Sequence, residues 1–248
     1  MREMTPSPTV HRTPDALGGL TIVLPCFDEA ENLPDAVAYA IDAAERCAEA
    51  YEIVIVDDGS SDETVTVAGR LAAQESHVRL IVHAENRGYG EALRSGIKAA
   101  RMPWVLLIDA DLQFDVGELD DFLAPARSAD LVVGRRILPQ GRARRRAGGA
   151  LWNRFVRAAF DLPVRDVDCG FRLIRRDLAE RLDLRAGGPV VGTELLVKSR
   201  AAGARVAEVP VHHRVRVAGR QSGPGPRLSA RTLRELADLR RLEGSARD

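Results

Sequence analysis

The 248-residue chain has few of the features that mark secreted, membrane-spanning or nucleic-acid-binding proteins. Its three cysteines, Cys26, Cys47 and Cys169, are widely spaced and form no C-x-x-C pair, which argues against a disulfide framework and favours a reducing compartment. No apolar run approaches the roughly 20 residues that span a bilayer. Basic and acidic residues number 36 each, so no net charge attracts the chain to nucleic acid. We therefore expect a cytoplasmic protein with no nucleic-acid partner.

Positive charge is concentrated locally in this chain. Arginine carries almost all of it, and several arginines gather at 142–146. Such a cluster attracts anionic surfaces over a short range. If the protein contacts a membrane, we expect a peripheral contact through this cluster and an amphipathic stretch at 228–242. Packing of that stretch against the rest of the protein is the alternative we favour.

Apolar runs of strand length alternate with stretches of helical periodicity as far as residue 134. This alternation predicts an α/β fold of the Rossmann type, in which a mainly parallel sheet is flanked by helices. The predicted strands are 20–24, 53–56, 78–82, 104–108 and 131–133, and the predicted helices are 32–47, 62–74, 89–100 and 116–126.

The regular alternation stops after Gly134, and a Gly/Pro-rich break follows at 219–226. Between these points we predict a helix at 151–160, an extended segment at 166–174, a helix at 193–202 and a strand at 205–212. The chain then divides into a disordered lead-in at 1–19, one catalytic domain at 20–222 and a tail with an amphipathic helix at 223–248.

Acidic residues follow two of the predicted strands. Asp109 and Asp111 come directly after one apolar run, and Asp57 and Asp58 follow another. The carboxyl ends of the strands form the ligand-binding edge of an open α/β sheet. Two carboxylates one residue apart, with the amide of Gln113 two residues further on, offer the oxygen ligands that Mg²⁺ or Mn²⁺ prefers. A cation of this kind implies a phosphate-bearing substrate.

The turn after the first predicted strand contains no glycine. It has the sequence Pro-Cys-Phe-Asp-Glu-Ala-Glu-Asn at 25–32, whereas a dinucleotide-binding protein has G-x-G-x-x-G at this position. A nicotinamide-dependent enzyme is therefore disfavoured.

Seven short segments form a series along the chain. They are 25–32, 57–60, 86–90, 109–113, 134–136, 168–172 and 209–211, the last followed by Arg216 and Gly219. In this order they resemble the catalytic domain of family 2 glycosyltransferases with the GT-A fold, whose first motif is P-x-[YF]-[ND]-E-x-x-N. The resemblance is to the dolichol-phosphate mannose synthase-like branch, which acts on polyprenyl phosphates.

The resemblance implies a role for each matching residue. Nucleotide-sugar binding is implied for Pro25, Phe27, Glu29, Asp57, Asp58, Arg87, Asp109 and Ala110. Metal binding is implied for Asp109, Asp111 and Gln113. Binding of the acceptor phosphate is implied for Arg136, Arg216 and Ser222, and a catalytic role for Asp111, Arg136 and Arg216.

The reaction implied by the resemblance is an inverting transfer of a sugar, from GDP-mannose or UDP-glucose, to a polyprenyl phosphate. Bound Mg²⁺ or Mn²⁺ would neutralise the leaving nucleoside diphosphate. A phosphate acceptor is already anionic near neutral pH and needs no general base. A hydroxyl acceptor needs a carboxylate to take its proton, and Asp168 and Glu194 are then the candidates.

Two alternatives to the polyprenyl-phosphate transferase stay open. One is a family 2 enzyme with a soluble hydroxyl acceptor, because many relatives carry transmembrane helices after the catalytic domain and this sequence contains none. The other is a regulatory protein that binds a nucleotide sugar without turnover. The intact Asp109, Asp111 and Gln113 argue against the second alternative.

Overall fold

The computed structural model describes residues 12–137, 143–188, 190–216 and 230–245. Within these residues, seven strands form one sheet with helices on both faces. The strands are β1 (Leu20–Cys26), β2 (Tyr51–Asp57), β3 (Val78–Val82), β4 (Trp104–Leu107), β5 (Leu131–Ile137), β6 (Arg172–Arg175) and β7 (Val206–His212). The helices are α1 (Leu33–Cys47), α2 (Thr64–Gln74), α3 (Tyr89–Ala99), α4 (Asp120–Ala126), α5 (Ala143–Phe160), α6 (Arg176–Arg181), α7 (Val191–Ala201) and α8 (Ala230–Ser245), with a 3₁₀ helix at Val116–Leu119. The predicted α/β class is confirmed.

The strand order is β3-β2-β1-β4-β6-β5-β7, and β6 is the antiparallel member. The sequence pattern indicated five consecutive parallel units, but β6 separates β5 from β4 and pairs with both. Leu107 at the end of β4 is paired with Arg172 at the start of β6. The loop before β6, 166–171, therefore reaches the carboxyl end of β4, where the residues that follow β1 and β2 also lie.

The apolar runs of the central strands reflect burial on both faces of the sheet. Ile22 and Leu24 of β1 lie in the core cluster formed with α1 and α2. Val23, whose side chain points to the opposite face, lies in a second cluster with Leu93 and Ile97 of α3. Strands buried on both faces are typical of a parallel sheet covered by crossover helices.

Two glycines on helices provide a test of this packing. We expect Gly96→Ala to lower the free energy of unfolding by about 1–3 kcal/mol, the usual cost of overpacking a core, because a Cβ there would overlap the side chain of Val23. Gly69 on α2 is the matched control, since nothing lies within 4 Å of a Cβ at that position. Gly69→Ala should raise the free energy of unfolding by about 0.5–1 kcal/mol through helix propensity. Urea unfolding of both variants measures the difference, and equal stability would contradict the close packing of α3 on β1.

Several observed elements differ in length from the predicted ones. The predicted helix at 116–126 is a 3₁₀ helix followed by α4, and the helix predicted at 151–160 begins at Ala143. β5 continues to Ile137 because it pairs with β7 along its whole length. This extension brings Arg136 to the edge of the sheet on which the acidic residues lie.

Segments near both ends of the chain pack against the domain. Residues 12–19 include the end of the predicted lead-in, and there Leu17 is buried and bridges to Ala48. On α8, Leu236 and Leu239 are buried in the second core cluster. None of the described helices has the length and apolar character needed to cross a bilayer. The limits of the predicted domains stay predictions, since parts of both ends lie outside the described residues.

Candidate active site

Asp109 and Asp111 form a partly buried carboxylate pair after β4. The hydroxyl of Tyr89 donates to Oδ1 of Asp109 at 2.8 Å, and the backbone N–H of Gln113 donates to Oδ1 of Asp111 at 3.0 Å. Burial raises the pKa of Asp109, and burial together with the charge of Asp109 raises the pKa of Asp111 to about 7. Such shifts indicate negative charge that lacks full compensation. A divalent cation would supply that compensation, so the donor set fits one.

Two carboxylates are an incomplete ligand set. Across the described parts of the chain, no three His, Cys, Asp or Glu side chains converge as a metal site. Gln113 is fixed beside the pair by Arg214, whose carbonyl accepts from the side-chain amide at 3.3 Å. A cation held here by Asp109 and Asp111 would complete its shell with substrate oxygens and water, as Mg²⁺ usually does.

Two non-glycine residues at this edge of the sheet have left-handed backbone conformations. They are Asp28, with φ 54°, and Leu112, with φ 59°. Each conformation costs about 1–3 kcal/mol and persists only where surrounding contacts enforce it. At Asp28 such a contact is visible, because its Oδ1 accepts from the backbone N–H of Ser61 at 2.8 Å. The strained residues therefore mark loops that are held in one conformation.

Arg216 connects the segment after β7 to the motif after β1. Its guanidinium pairs with Glu29 and lies 3.6 Å from Oδ2 of Asp111. Glu29 is held in turn by the side-chain amide of Asn32 at 2.7 Å. Arg216 and Glu29 expose only 16% and 8% of their side chains. This arrangement fixes a guanidinium, a group that suits phosphate oxygens, beside the carboxylate pair.

The two aspartates after β2 have different surroundings. Asp58 accepts from the backbone N–H groups of Arg87 and Gly88 at 3.0 and 2.8 Å. It also pairs with the buried His83 at 2.8 Å, so both of its oxygens are occupied. Asp57 accepts two loop N–H groups with Oδ2, but its Oδ1 is buried and has no hydrogen-bond partner among the described residues. A buried acceptor without a donor is costly, and a ligand can supply the missing donor.

Arg136 forms a bidentate pair with Asp166. Its Nε and one terminal nitrogen each donate to a different oxygen of Asp166 at 2.7 Å. Burial opposes ionisation of Asp166, but the guanidinium of Arg136 outweighs it and lowers the pKa of this carboxyl. Asp166 was not among the predicted site residues. The signal available in the sequence was a second D-x-D pattern at 166–168.

The two candidate bases also differ from each other. Burial raises the pKa of Asp168, which makes this carboxylate a stronger proton acceptor. Glu194 accepts from the backbone N–H groups of Arg185 and Ala186 at 2.9 and 2.8 Å, and it pairs with Lys198 at 2.7 Å. These contacts favour a structural role for Glu194, in holding the loop before α7. The assignment of a base stays a prediction.

The remaining predicted residues are less informative. Pro25 is buried in β1, and Ala110 is buried between the two aspartates of the carboxylate pair. Phe27 is half-buried, and Arg87 is exposed although its backbone is held by Asp58. Ser222 lies outside the described residues. The roles implied for all of them stay predictions.

Comparison with known proteins decides the family. The model of the family described as Glycosyl transferase family 2 matches residues 21–183. The chain belongs to this family. An uncharacterized glycosyltransferase of Mycobacterium tuberculosis is 38% identical over 213 residues, which are 83% of this chain and 90% of the relative. Undecaprenyl-phosphate 4-deoxy-4-formamido-L-arabinose transferase of Shewanella sediminis is 30% identical over 202 residues, which are 81% of this chain and 60% of the relative.

The fold of this glycosyltransferase has solved counterparts. The UDP complex of glucosyl-3-phosphoglycerate synthase from Mycobacterium tuberculosis matches with a TM-score of 0.66 and 21% identity, over 91% of this chain and 80% of the synthase. Another crystal structure of that synthase contains Mn²⁺ and UDP-glucose. The fold is therefore GT-A, as the resemblance implied. Family membership makes the protein a transferase rather than a regulator that only binds a nucleotide sugar.

Proposed function

We propose that this glycosyltransferase moves mannose or glucose from a GDP- or UDP-sugar to a polyprenyl phosphate, with inversion at the anomeric carbon and with Mg²⁺ or Mn²⁺ as cofactor. The observation that carries the proposal is the convergence of Asp109, Asp111 and Arg216 at one edge of the sheet. A carboxylate pair suits a cation, and a guanidinium suits a phosphate group. The Shewanella sediminis relative, whose name specifies undecaprenyl phosphate, supports the acceptor class.

Asp57 supports the binding of a nucleotide at the same edge of the sheet. Its unpaired Oδ1 can accept a hydrogen bond from a base, and both uracil and guanine carry a ring N–H. Asp58 fixes the turn at Arg87 and Gly88 that would form one wall of the pocket. The synthase of the same fold that was crystallised with UDP-glucose supports a nucleotide-sugar donor.

A divalent cation held by Asp109 and Asp111 would neutralise the charge that develops on the leaving diphosphate. The protein's own cationic groups bind and orient the phosphates. Arg216, held by Glu29, keeps its charge while it binds phosphate oxygens. Arg136, held by Asp166, offers a second guanidinium. Holding donor and acceptor in line makes the reaction effectively unimolecular.

A phosphate acceptor removes the need for a general base. The second pKa of a phosphate monoester is about 6, so an acceptor oxygen is already anionic near neutral pH. It attacks C1 of the sugar while the nucleoside diphosphate leaves from the opposite face, which inverts the configuration. The three cysteines are free thiols, in agreement with a reaction at the cytoplasmic face of a membrane.

Asp168 favours a second candidate function, which is transfer to a soluble hydroxyl acceptor. Such an acceptor loses a proton as it attacks C1, and the buried Asp168, with its raised pKa, could take that proton. Asp168→Asn should then abolish transfer to a hydroxyl and leave transfer to a phosphate largely intact.

A transfer assay tests the proposed function. The purified protein is incubated with Mn²⁺ or Mg²⁺, radiolabelled GDP-mannose or UDP-glucose, and a short-chain polyprenyl phosphate, and label extracted into organic solvent is counted. We expect label in the organic phase that depends on the metal and is abolished by EDTA. The matched control acceptor is the polyprenol of the same length without its phosphate. Transfer to the polyprenol or to soluble hydroxyl compounds, but not to the phosphate, would contradict the proposed acceptor.

Tyr89 offers a test of the proposed metal ligands. We expect Tyr89→Phe to weaken Mn²⁺ binding about 10-fold, the lower end of the effect of losing a residue that orients a metal ligand, because Asp109 would lose its hydroxyl donor. Tyr51 is the matched control, since it lies at the start of β2, the strand end remote from the carboxylate pair, and its hydroxyl pairs with Glu45. Tyr51→Phe should leave the affinity unchanged. Titration of Mn²⁺ in the presence of UDP or GDP, followed by electron paramagnetic resonance, measures both. Unchanged affinity in the Tyr89 variant would exclude this role for the hydroxyl.

A further inference from the structure

Helix α5 has an unusual charge. Its 18 residues include five arginines and no aspartate or glutamate, in a chain whose basic and acidic residues balance. Helix α8, which is of similar length, has four arginines and three acidic residues. The positive charge of α5 is therefore not offset by acidic residues of the same helix.

The outward face of α5 combines apolar and basic side chains. Leu151 and Phe155 lie one helical turn apart and expose 71% and 54% of their surface. Arg154 and Arg157 are exposed beside them. Val156, by contrast, lies fully buried in the second core cluster. Apolar side chains flanked by arginines on a helix surface are typical of helices that lie in the interface of an anionic membrane.

The other exposed large apolar side chains are not paired on one helix. Among the described residues they are Tyr39, Val82, Ile137 and Val215, which lie on different elements. On α8, Leu236 and Leu239 are buried in the core. Among the side chains whose burial the structure describes, Leu151 and Phe155 are the only two exposed large apolar ones that share a helix.

The position of α5 connects this surface to Arg136, for which binding of the acceptor phosphate is predicted. Oδ1 of Asn153 accepts from the backbone N–H of Val167 at 2.8 Å. The preceding residue, Asp166, holds Arg136. One face of α5 is thus fixed to the loop that orients a proposed phosphate-binding arginine.

We propose that the outward face of α5, formed by Leu151, Arg154, Phe155 and Arg157, binds the surface of an anionic phospholipid membrane. The proposal rests on the proposed function, because it explains how a chain without a membrane-spanning helix in its described residues would reach a lipid-linked acceptor. Leu151 and Phe155 enter the headgroup region, and the arginines bind lipid phosphates. The loop that holds Arg136, fixed to α5 through Asn153, would then lie close to a lipid-linked acceptor.

Vesicle binding by the whole 248-residue chain tests this surface. The probes are vesicles of phosphatidylcholine, with and without phosphatidylglycerol, separated from free protein by flotation. We expect binding only with phosphatidylglycerol and loss of binding at high salt. Substituting both arginines, as R154Q/R157Q, should weaken binding roughly 25-fold, about fivefold for each charge. Substituting both apolar residues, as L151S/F155S, should weaken it at least about tenfold.

An α8 variant and a soluble acceptor serve as the controls. Arg234 and Arg241 on α8 are also exposed, so R234Q/R241Q matches the charge change and should bind vesicles like the wild type. Both α5 variants should retain wild-type transfer to a short-chain polyprenyl phosphate in solution, because none of the four substituted residues is among the proposed site residues.

The outcomes distinguish failure of the proposed membrane surface from failure of the proposed function. Vesicle binding that the α5 substitutions leave unchanged would overturn the membrane surface, whatever the transfer assay shows. A concentration-dependent dimer that L151S/F155S abolishes, with no vesicle binding, would also overturn it and identify the face as an interface between two copies. Vesicle binding lost in the α5 variants would support the surface even if no sugar reaches a polyprenyl phosphate, in which case the proposed function alone fails.

Discussion

Replacing Asp111 by asparagine should lower kcat/KM for sugar transfer by at least about 100-fold, since losing even a residue that orients a metal ligand typically costs 10–100-fold. Asparagine keeps the shape of the side chain but removes one of the two charges that fit a cation. Burial raises the pKa of Asp111, so the folded protein carries this carboxylate at a cost in stability. The metal-free variant should therefore be at least as stable as the wild type.

Three measurements separate catalysis from folding in this variant. They are kcat/KM at saturating Mn²⁺, Mn²⁺ affinity in the presence of a nucleoside diphosphate, and thermal unfolding in EDTA. The matched control is Asp121→Asn on α4, where the carboxylate is exposed and activity should not change. Wild-type transfer by the Asp111 variant would exclude the carboxylate pair as the centre of the reaction. A loss of activity that only follows a loss of stability would exclude a catalytic role for the charge.

Replacing Arg216 by lysine should lower kcat/KM for the polyprenyl phosphate by about 100-fold, within the range for disrupting a buried charged contact. Lysine keeps the positive charge but loses the planar fork that pairs with Glu29 and that, in the proposed mechanism, would also bind phosphate oxygens. Arg214, two residues earlier, is the matched control because its side chain is 60% exposed and pairs with Asp115 at the surface. Arg214→Lys should change kcat/KM by less than about threefold.

The kinetic parameter that changes in the Arg216 variant identifies which phosphate the guanidinium binds. A higher KM for the acceptor, with the KM for the nucleotide sugar unchanged, would assign Arg216 to the acceptor phosphate. A higher KM for the nucleotide sugar would assign it to the donor diphosphate. If the variants of Arg214 and Arg216 behaved alike, neither phosphate would depend on this guanidinium.

The sequence predicted the parts of the fold and site that depend on local patterns. The acidic residues that follow two apolar runs correctly indicated which edge of the sheet carries them. The carboxylate pair was also predictable, because both of its members lie within the contiguous segment 109–113. The ends of several helices were predicted to within about two residues, as for α3, which was predicted at 89–100 and is observed at Tyr89–Ala99. Local chemistry was sufficient at these positions.

Contacts between residues far apart in the sequence were not predicted. They depend on the strand order and on how distant segments meet in the fold. The insertion of β6 between β4 and β5 brings Asp166 to Arg136, 30 residues away in the sequence. The pairing of Arg216 with Glu29 spans 187 residues. Glu194 illustrates the converse case, in which a carboxylate singled out as a candidate base has both oxygens bound by a neighbouring loop and Lys198. Pairing of distant segments depends on tertiary packing, which local propensity does not specify.

The measurement that tests the central claim most directly is anomalous diffraction at the manganese absorption edge, from crystals grown with Mn²⁺ and either UDP or GDP. We predict a manganese peak within bonding distance of the carboxylates of Asp109 and Asp111, with the diphosphate bound to the same ion and a phosphate oxygen near Arg216. The base should donate a hydrogen bond to Oδ1 of Asp57. A nucleotide bound at another edge of the sheet, or a peak remote from both aspartates, would contradict the account.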